Sequence, residues 1–237
     1  MIIATLFRFA SGTHNICNNI RKPSVAVTST QKGIVMRNFI SIDVQEILLT
    51  DKQIKEIKKS FGLNNTKLSD VAIGDTFKIG SYEFIVLEHS KETTAVILKG
   101  LLHENERFGN DNNFTNSNVD KKCNEFSVVI ANIIGNENLI EHTVDLTADD
   151  GLKDYGKIKR RMSLITAQLY RRYVDILDKH KTEDWWWTAT ARSAQKHGDT
   201  TWVKCVSPSW GLDIISYIGN CGVRPFCILN SNIFVSK

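Results

Sequence analysis

The alternation of apolar and polar positions is sharpest in GDTFKIGSYEFIVLEH. Phe77 and Ile79 alternate with polar neighbours before Gly80-Ser81, and Tyr82, Phe84 and Val86 alternate after it. A period of two on both sides of a two-residue turn predicts an antiparallel hairpin, and TTAVILKG predicts a third strand. Elsewhere the period lengthens. LTDKQIKEIKKSFG sets Ile54, Ile57 and Phe61 on one helical face, with Thr50 as N-cap, Gln53 at the capping-box position and Gly62 as the stop. ERFGNDNNFTNSNV reads as a polar loop leading into a helix from Val119 to Gly135, with Cys123, Phe126, Val129 and Ile133 at helical spacing. MSLITAQLYRRYVDILDKH predicts a second helix that turns Leu169, Tyr173, Ile176 and Leu177 inward. From Trp185 onward the pattern is short strands and long loops, closing with VRPFCIL and NIFV. The predicted class is α+β: antiparallel β-hairpins, two packed helices and a loop-rich C-terminal half. There is no βαβ alternation, which argues against Rossmann and TIM-barrel architectures, and no internal repeat.

Charge changes this picture at one end only. Residues 1–42 hold no acidic residue but carry Arg8, Arg21, Lys22, Lys32 and Arg37, so the net charge of +4 belongs to this segment and the remainder is close to neutral. The segment reads as a basic arm, disordered or the product of an early start codon with Met36 as the alternative; a transit peptide is the weaker reading, since no amphipathic Arg-rich helix is visible. Residues 43–67 form the short helical region and 68–237 the main domain. Arg8 interrupts the apolar start, which makes MIIATLFRFA a poor signal peptide, and no apolar run approaches the ~20 residues that span a bilayer. The expected setting is therefore cytoplasmic or virion-associated. The body offers no clustered basic face for a nucleic acid. The five cysteines, at 17, 123, 205, 221 and 227, lack paired metal spacing and read as buried reduced thiols.

The order of the GDTFKIGSYEFIVLE hairpin, a helix containing LITAQLYRRY, the WWWTATARS block and the terminal GVRPF resembles the DUF6273 family of bacterial and phage proteins over about residues 68–235. The resemblance implies a C-type-lectin-like fold, akin to that of the formylglycine-generating enzymes and of the variable proteins of diversity-generating retroelements. It also implies that the segment between the two terminal motifs supplies solvent-facing loops.

Three consecutive tryptophans in an extended segment must point alternately, Trp185 and Trp187 to one face and Trp186 to the other. With cover on both faces they fill a core. Arg224 presents a rigid fork suited to holding backbone carbonyls, Pro225 fixes the local backbone, and Gly222 permits a turn or a close approach. SPSWGLDIISYIGNC is different. Trp210, Asp213, Tyr217 and Asn220 between glycines suit a recognition surface, with Trp210 and Tyr217 foremost, and equally suit a loop packed over the core. Arg192 falls in the same region of 188–221.

Other combinations carry less. GNDNN at 109–113 reads as a solvated loop rather than a cation site, and Ser193, His197 and Asp199 as a turn rather than a triad. Asp145, Asp149 and Asp150 read as a solvated acidic loop, and KIKRR at 157–161 as a solvated basic face. No catalytic residue, metal or cofactor is assigned. The expectation is a non-catalytic module, of phage, prophage or gut-bacterial origin, that recognises a protein or glycan through its C-terminal loops. The alternatives are an oxidase related to the formylglycine-generating enzymes, which would use Cys205 or Cys221, and an intracellular phage protein that inhibits a host factor.

Overall fold

The computed structural model describes residues 66–209 and 211–236, together with 39–42, 45–48, 50, 52 and 53. The chain divides into two compact units, Met1–Phe61 and Gly62–Lys237. In the first, β1 (Phe39–Ile42) pairs antiparallel with β2 (Gln45–Leu48). The Thr50 N–H donates to Gln53 Oε1 at 2.9 Å and the Gln53 N–H to Thr50 Oγ1 at 3.3 Å, the reciprocal capping box expected from the sequence. Most of the basic arm at 1–42, and the helix body that follows Gln53, lie outside the described residues.

The second unit is mixed α+β and built mainly of sheet. It starts at β3 (Thr66–Lys67), which pairs with the last strand, β17 (Phe234–Val235), and so brings its two ends together. The first sheet contains β4 (Thr76–Ile79), β5 (Tyr82–His89), β6 (Thr93–Leu98) and β16 (Pro225–Asn230). β8 (Leu139–Ile140) and β11 (Met162–Leu164) share the outer edge of β16. The expected hairpin is present, with Ile79 opposite Tyr82 around the Gly80-Ser81 turn and Gly80 at φ 59°. Phe77 faces Phe84 with ring centroids 5.8 Å apart. The second sheet runs β14 (Gly211–Ser216), β13 (Trp202–Ser207), β12 (Trp186–Ala191), β15 (Asn220–Val223), β7 (His103–Arg107). Only β12 and β15 pair in parallel within it. A small ribbon joins β9 (His142–Asp145) to β10 (Lys157–Arg160).

Two cores result, because β5 is buried on both faces. Phe84 and Val86 join Trp187, Val203 and the helix α1 (Asn118–Ile134) in the larger one. Ile85 and Leu87 join Trp186, Phe226 and the short helices α2 (Ala167–Arg172) and α3 (Val174–Leu177) in the smaller. Each apolar side chain buried in this way contributes about 1.5–3 kcal/mol relative to exposure.

Both helix predictions need correction. The buried stripe of α1 is Val119, Cys123, Phe126 and Ile130, whereas Val129 and Ile133 are 41% and 50% exposed. The stripe follows 3.6 residues per turn and rotates past the expected positions. The helix expected over 162–180 is a strand followed by two short helices. Met162, Ser163 and Leu164 are all buried, which a single helical stripe does not achieve, and they pair with Cys227, Phe226 and Pro225. Thr166 then caps α2 by accepting from the Leu169 N–H, and the helix breaks at Tyr173. Tyr170, Tyr173 and Leu177 face the core; Leu169 and Ile176 are half-buried. The loop at 106–119 is not polar throughout either, for Phe108 and Phe114 are 0% and 1% exposed. Among the described residues no helix is long and apolar enough to cross a membrane.

Candidate functional site

The tryptophan block is packing. Trp186 and Trp187 are buried in different cores, as alternation along β12 requires, and Trp185 is half-buried against the same core as Trp187. Trp187 Nε1 donates to the Glu106 carbonyl at 2.7 Å, and its ring meets Phe108 edge-on at 5.3 Å. Gly222 lies beside this strand, its N–H donating to the Trp185 carbonyl at 2.6 Å. A Cβ there would collide with the Leu101 side chain, which would have to shift to admit it. Pro225 opens β16, where a missing N–H costs least. Arg224 is the single residue between β15 in one sheet and β16 in the other. Buried to 1% exposure, it donates from Nε to the Leu98 carbonyl at 2.9 Å and from Nη2 to those of Lys99 at 2.9 Å and His180 at 3.0 Å. Its guanidinium lies 5.2 Å from the centre of the Trp186 ring.

One end of the second sheet collects a different group. Trp202 opens β13 opposite Ser216, the last residue of β14; Tyr217 and Ile218 follow; and Asn220 opens β15 opposite Arg107, the last residue of β7. The Tyr217 N–H donates to the Thr201 carbonyl, and the Phe108 N–H to that of Tyr217. Arg107 stands over the Tyr217 ring at 5.5 Å. Trp202 and Ile218 are 38% and 60% exposed, although most large apolar groups of this unit are buried. Arg192, exposed just past the end of β12, donates its N–H to the Trp202 carbonyl and lies 3.9 Å from Asp199. The structure thus gathers Arg192, Tyr217 and Asn220. Asp213 is half-buried in mid-strand opposite Cys205, its carboxylate accepting from the Ile214 N–H at 2.8 Å. Trp210 lies outside the described residues, and its neighbours Ser209 and Gly211 stand at the far end of the hairpin, roughly 17 Å away along six-residue strands.

Trp202, Ile218 and Arg107 were missed in the sequence. The available signal was Trp202, the only tryptophan besides Trp210 outside the triple block. Its position as the first, outward residue of β13 becomes visible only with the strand register.

The remaining clusters hold the fold together. Asp150 stands between Ser193, whose hydroxyl donates to Oδ2 at 2.5 Å, and His197 Nδ1 at 3.2 Å. The Ser193 hydroxyl bond, chiefly, draws the Asp150 carboxyl below its usual range. A hydrolytic triad needs the imidazole in the middle, and here the carboxylate is. The acidic loop is solvated, with Asp149 and Asp150 exposed, and also tied down: Asp145 accepts from Thr147 and pairs with Lys157 at 3.0 Å, and Asp149 meets Arg171 at 2.7 Å. In KIKRR, Lys157, Lys159 and Arg161 are exposed as expected, whereas Arg160 turns inward and grips the buried Asp120 through Nε at 2.8 Å and Nη2 at 2.7 Å. Asn112, expected in a solvated loop, is fully buried; its amide donates to the carbonyls of Ser193, Asp199 and Trp202 and accepts from the Tyr155 hydroxyl. The cysteines 123, 205, 221 and 227 are buried free thiols. Cys205 and Cys221 touch, and that hydrogen bond together with burial pushes the Cys205 thiol far up, so it remains protonated. No group of three potential ligands among the described residues is placed to hold a metal.

Comparison of the chain with family models, with curated proteins and with solved structures found no match.

Proposed function

We propose that this chain is a non-catalytic recognition module that binds a protein or glycan at the Trp202–Ile218 end of its second sheet, and that its fold is of the C-type-lectin-like kind implied by the resemblance to the DUF6273 family. The observation that carries the reading is that an indole and an isoleucine, Trp202 and Ile218, are exposed at the same end of the sheet as the Arg107–Tyr217 stack, whereas Trp186 and Trp187 of this sheet are buried. An exposed tryptophan costs little side-chain entropy on binding and offers a large contact area; the flanking Arg107, Arg192 and Asn220 supply donors around it. The meeting of the unit's first and last strands, the mainly antiparallel sheets and the long α1 are compatible with that fold.

The test is binding of the intact chain to arrayed glycans and to a surface extract, with Trp202→Ala and Ile218→Ser as the comparison. Each substitution should reduce binding at least about tenfold, because truncating an interface anchor costs about 2 kcal/mol or more. The unfolding temperature should hardly move. Equal binding by wild type and variants, or a large loss of stability in both, overturns the reading.

A further inference from the structure

At the opposite end of the β13–β14 hairpin, a small cavity opens between the α3 side of the smaller core and residues Ser207, Pro208 and Gly211. Tyr170, Asp178, Lys181, Trp186, Ser207 and Arg224 are among its walls, and its free volume is about 20 Å³. That is somewhat more than a single water needs. Two of the deeply buried side chains that line it, Arg224 and Tyr170, carry polar groups to which the described residues give no hydrogen-bond partner. Arg224 uses Nε and Nη2 on three carbonyls, which leaves both N–H groups of Nη1. The Tyr170 hydroxyl belongs to a residue only 5% exposed, whose ring is held edge-on to Trp186 at 6.1 Å.

The charge in this cavity is unbalanced. No carboxylate of the described residues forms a salt bridge with Arg224, and burial lowers its pKa to about 10, still protonated at neutral pH. Tyr170 is close enough to affect it; burial, chiefly, raises the Tyr170 hydroxyl above its usual range, with Asp178 adding to the rise and Arg224 opposing it. Arg224 and Lys181 against Asp178 leave one positive charge. Each unpartnered group is a donor, and a buried cation needs a counter-charge more than another dipole.

We propose that this cavity binds a compact monoanion of the carboxylate class, held between Arg224 Nη1 and the Tyr170 hydroxyl, with Lys181 at the mouth. A carboxylate is planar and matches the guanidinium fork, and in so small a volume formate, its smallest member, is the one to test; a tetrahedral phosphate dianion is larger and carries one charge too many. The site is separate from the Trp202–Ile218 surface, so each can fail without the other.

The experiment titrates sodium formate into the full chain, with ionic strength held constant by a bulky sulfonate salt. It follows tryptophan emission, since the Trp186 ring lies against the guanidinium, and the unfolding temperature, which a ligand of the native state raises. Saturable responses of both to formate, with none to inorganic phosphate, are expected. Tyr170→Phe should weaken formate binding about tenfold, the worth of one hydrogen bond to a charged group, while leaving the unfolding temperature without formate unchanged because the hydroxyl has no hydrogen-bond partner among the described residues. Lys181→Ala should weaken it less and reduce its salt dependence, and Trp202→Ala should leave it intact. No saturable response to formate, or an equal one in Tyr170→Phe, shows that the cavity holds only water and overturns the proposal. Tighter binding of phosphate than of formate overturns the carboxylate class.

Discussion

Acid removes stability from this fold through His142. The side chain is 8% exposed; its ring stands edge-on to Phe226 with centroids 5.3 Å apart, and Nε2 lies 3.0 Å from Ser163 Oγ. Nδ1 is buried without a partner in hydrogen-bonding geometry. A charged imidazole needs both N–H groups satisfied. Burial lowers the His142 pKa from 6.5 to about 4, with the nearby Ile140 carbonyl opposing the shift and Lys159 adding to it. Between those values the unfolded chain holds a proton that the folded chain does not, so stability rises with pH across that window and is lost as pH falls through it. At about 1.4 kcal/mol per pH unit, the whole window amounts to about 3 kcal/mol. About 2 kcal/mol of this disappears between about pH 7 and about pH 5, a large fraction of the 5–15 kcal/mol typical of a folded domain.

Urea unfolding followed by tryptophan fluorescence at several pH values in that range measures the loss. Paired carboxylates do not confuse it. Asp145, held down to about 2 mainly by the Thr147 hydroxyl, and Glu83, lowered mainly by a hydrogen bond from Thr76, also lose their contributions on acidification, but at lower pH. His142→Gln keeps a hydrogen-bonding group for Ser163 and removes the titration, so its stability should be nearly flat over the same range. If the variant loses as much as wild type, or if the His142 ring titrates near 6.5 by NMR in the folded protein, the reasoning fails.

Two further predictions test the packing. Gly222→Ala should lower stability by about 1–3 kcal/mol in the same assay, because the new methyl collides with Leu101 and one of the two must move; an unchanged urea midpoint would show that Leu101 yields freely. Arg160→Ala should cost about 3–5 kcal/mol by stranding Asp120, which is 1% exposed, whereas the double change Arg160→Met with Asp120→Leu should cost less than Arg160→Ala alone; a single-variant loss below about 1 kcal/mol would show that water reaches the carboxylate.

The parts of the fold that were legible in the sequence are those fixed by local spacing. The Gly80 hairpin, the Thr50–Gln53 capping box and the alternation of Trp186 with Trp187 each depend on residues close in sequence, and each has the expected geometry. Positions decided by distant partners were not legible. Met162–Leu164 is a strand because β16, some sixty residues later, needs an edge partner, although the residues around it have helical spacing. Asn112 looks like one more loop asparagine until three carbonyls from 193–202 converge on its amide. The loop residues singled out for binding were grouped by nearness in sequence, and a hairpin undoes that grouping: its turn carries Ser207 and Gly211 to one end of the sheet and leaves Tyr217 at the other.

Arg224 combines a role that its sequence neighbourhood implies with one that only its distant partners define. A rigid fork beside a strand switch between sheets implies carbonyl acceptors, and three are found. The sequence gives no way to count the donors left over. A guanidinium has five N–H groups, and three acceptors use Nε and Nη2, so the same pinning that orders the crossing between the sheets directs Nη1 elsewhere. Arg224 as a residue is only 1% exposed, and it shares the wall of one small cavity with Tyr170. A side chain held rigidly by its structural bonds loses little further freedom when it binds a ligand, which lowers the cost of binding. Pinning and binding are therefore compatible roles for one arginine. The first fixes the geometry that the second requires, and Tyr170→Phe separates them because it removes a donor from the cavity without touching any of the three carbonyl bonds.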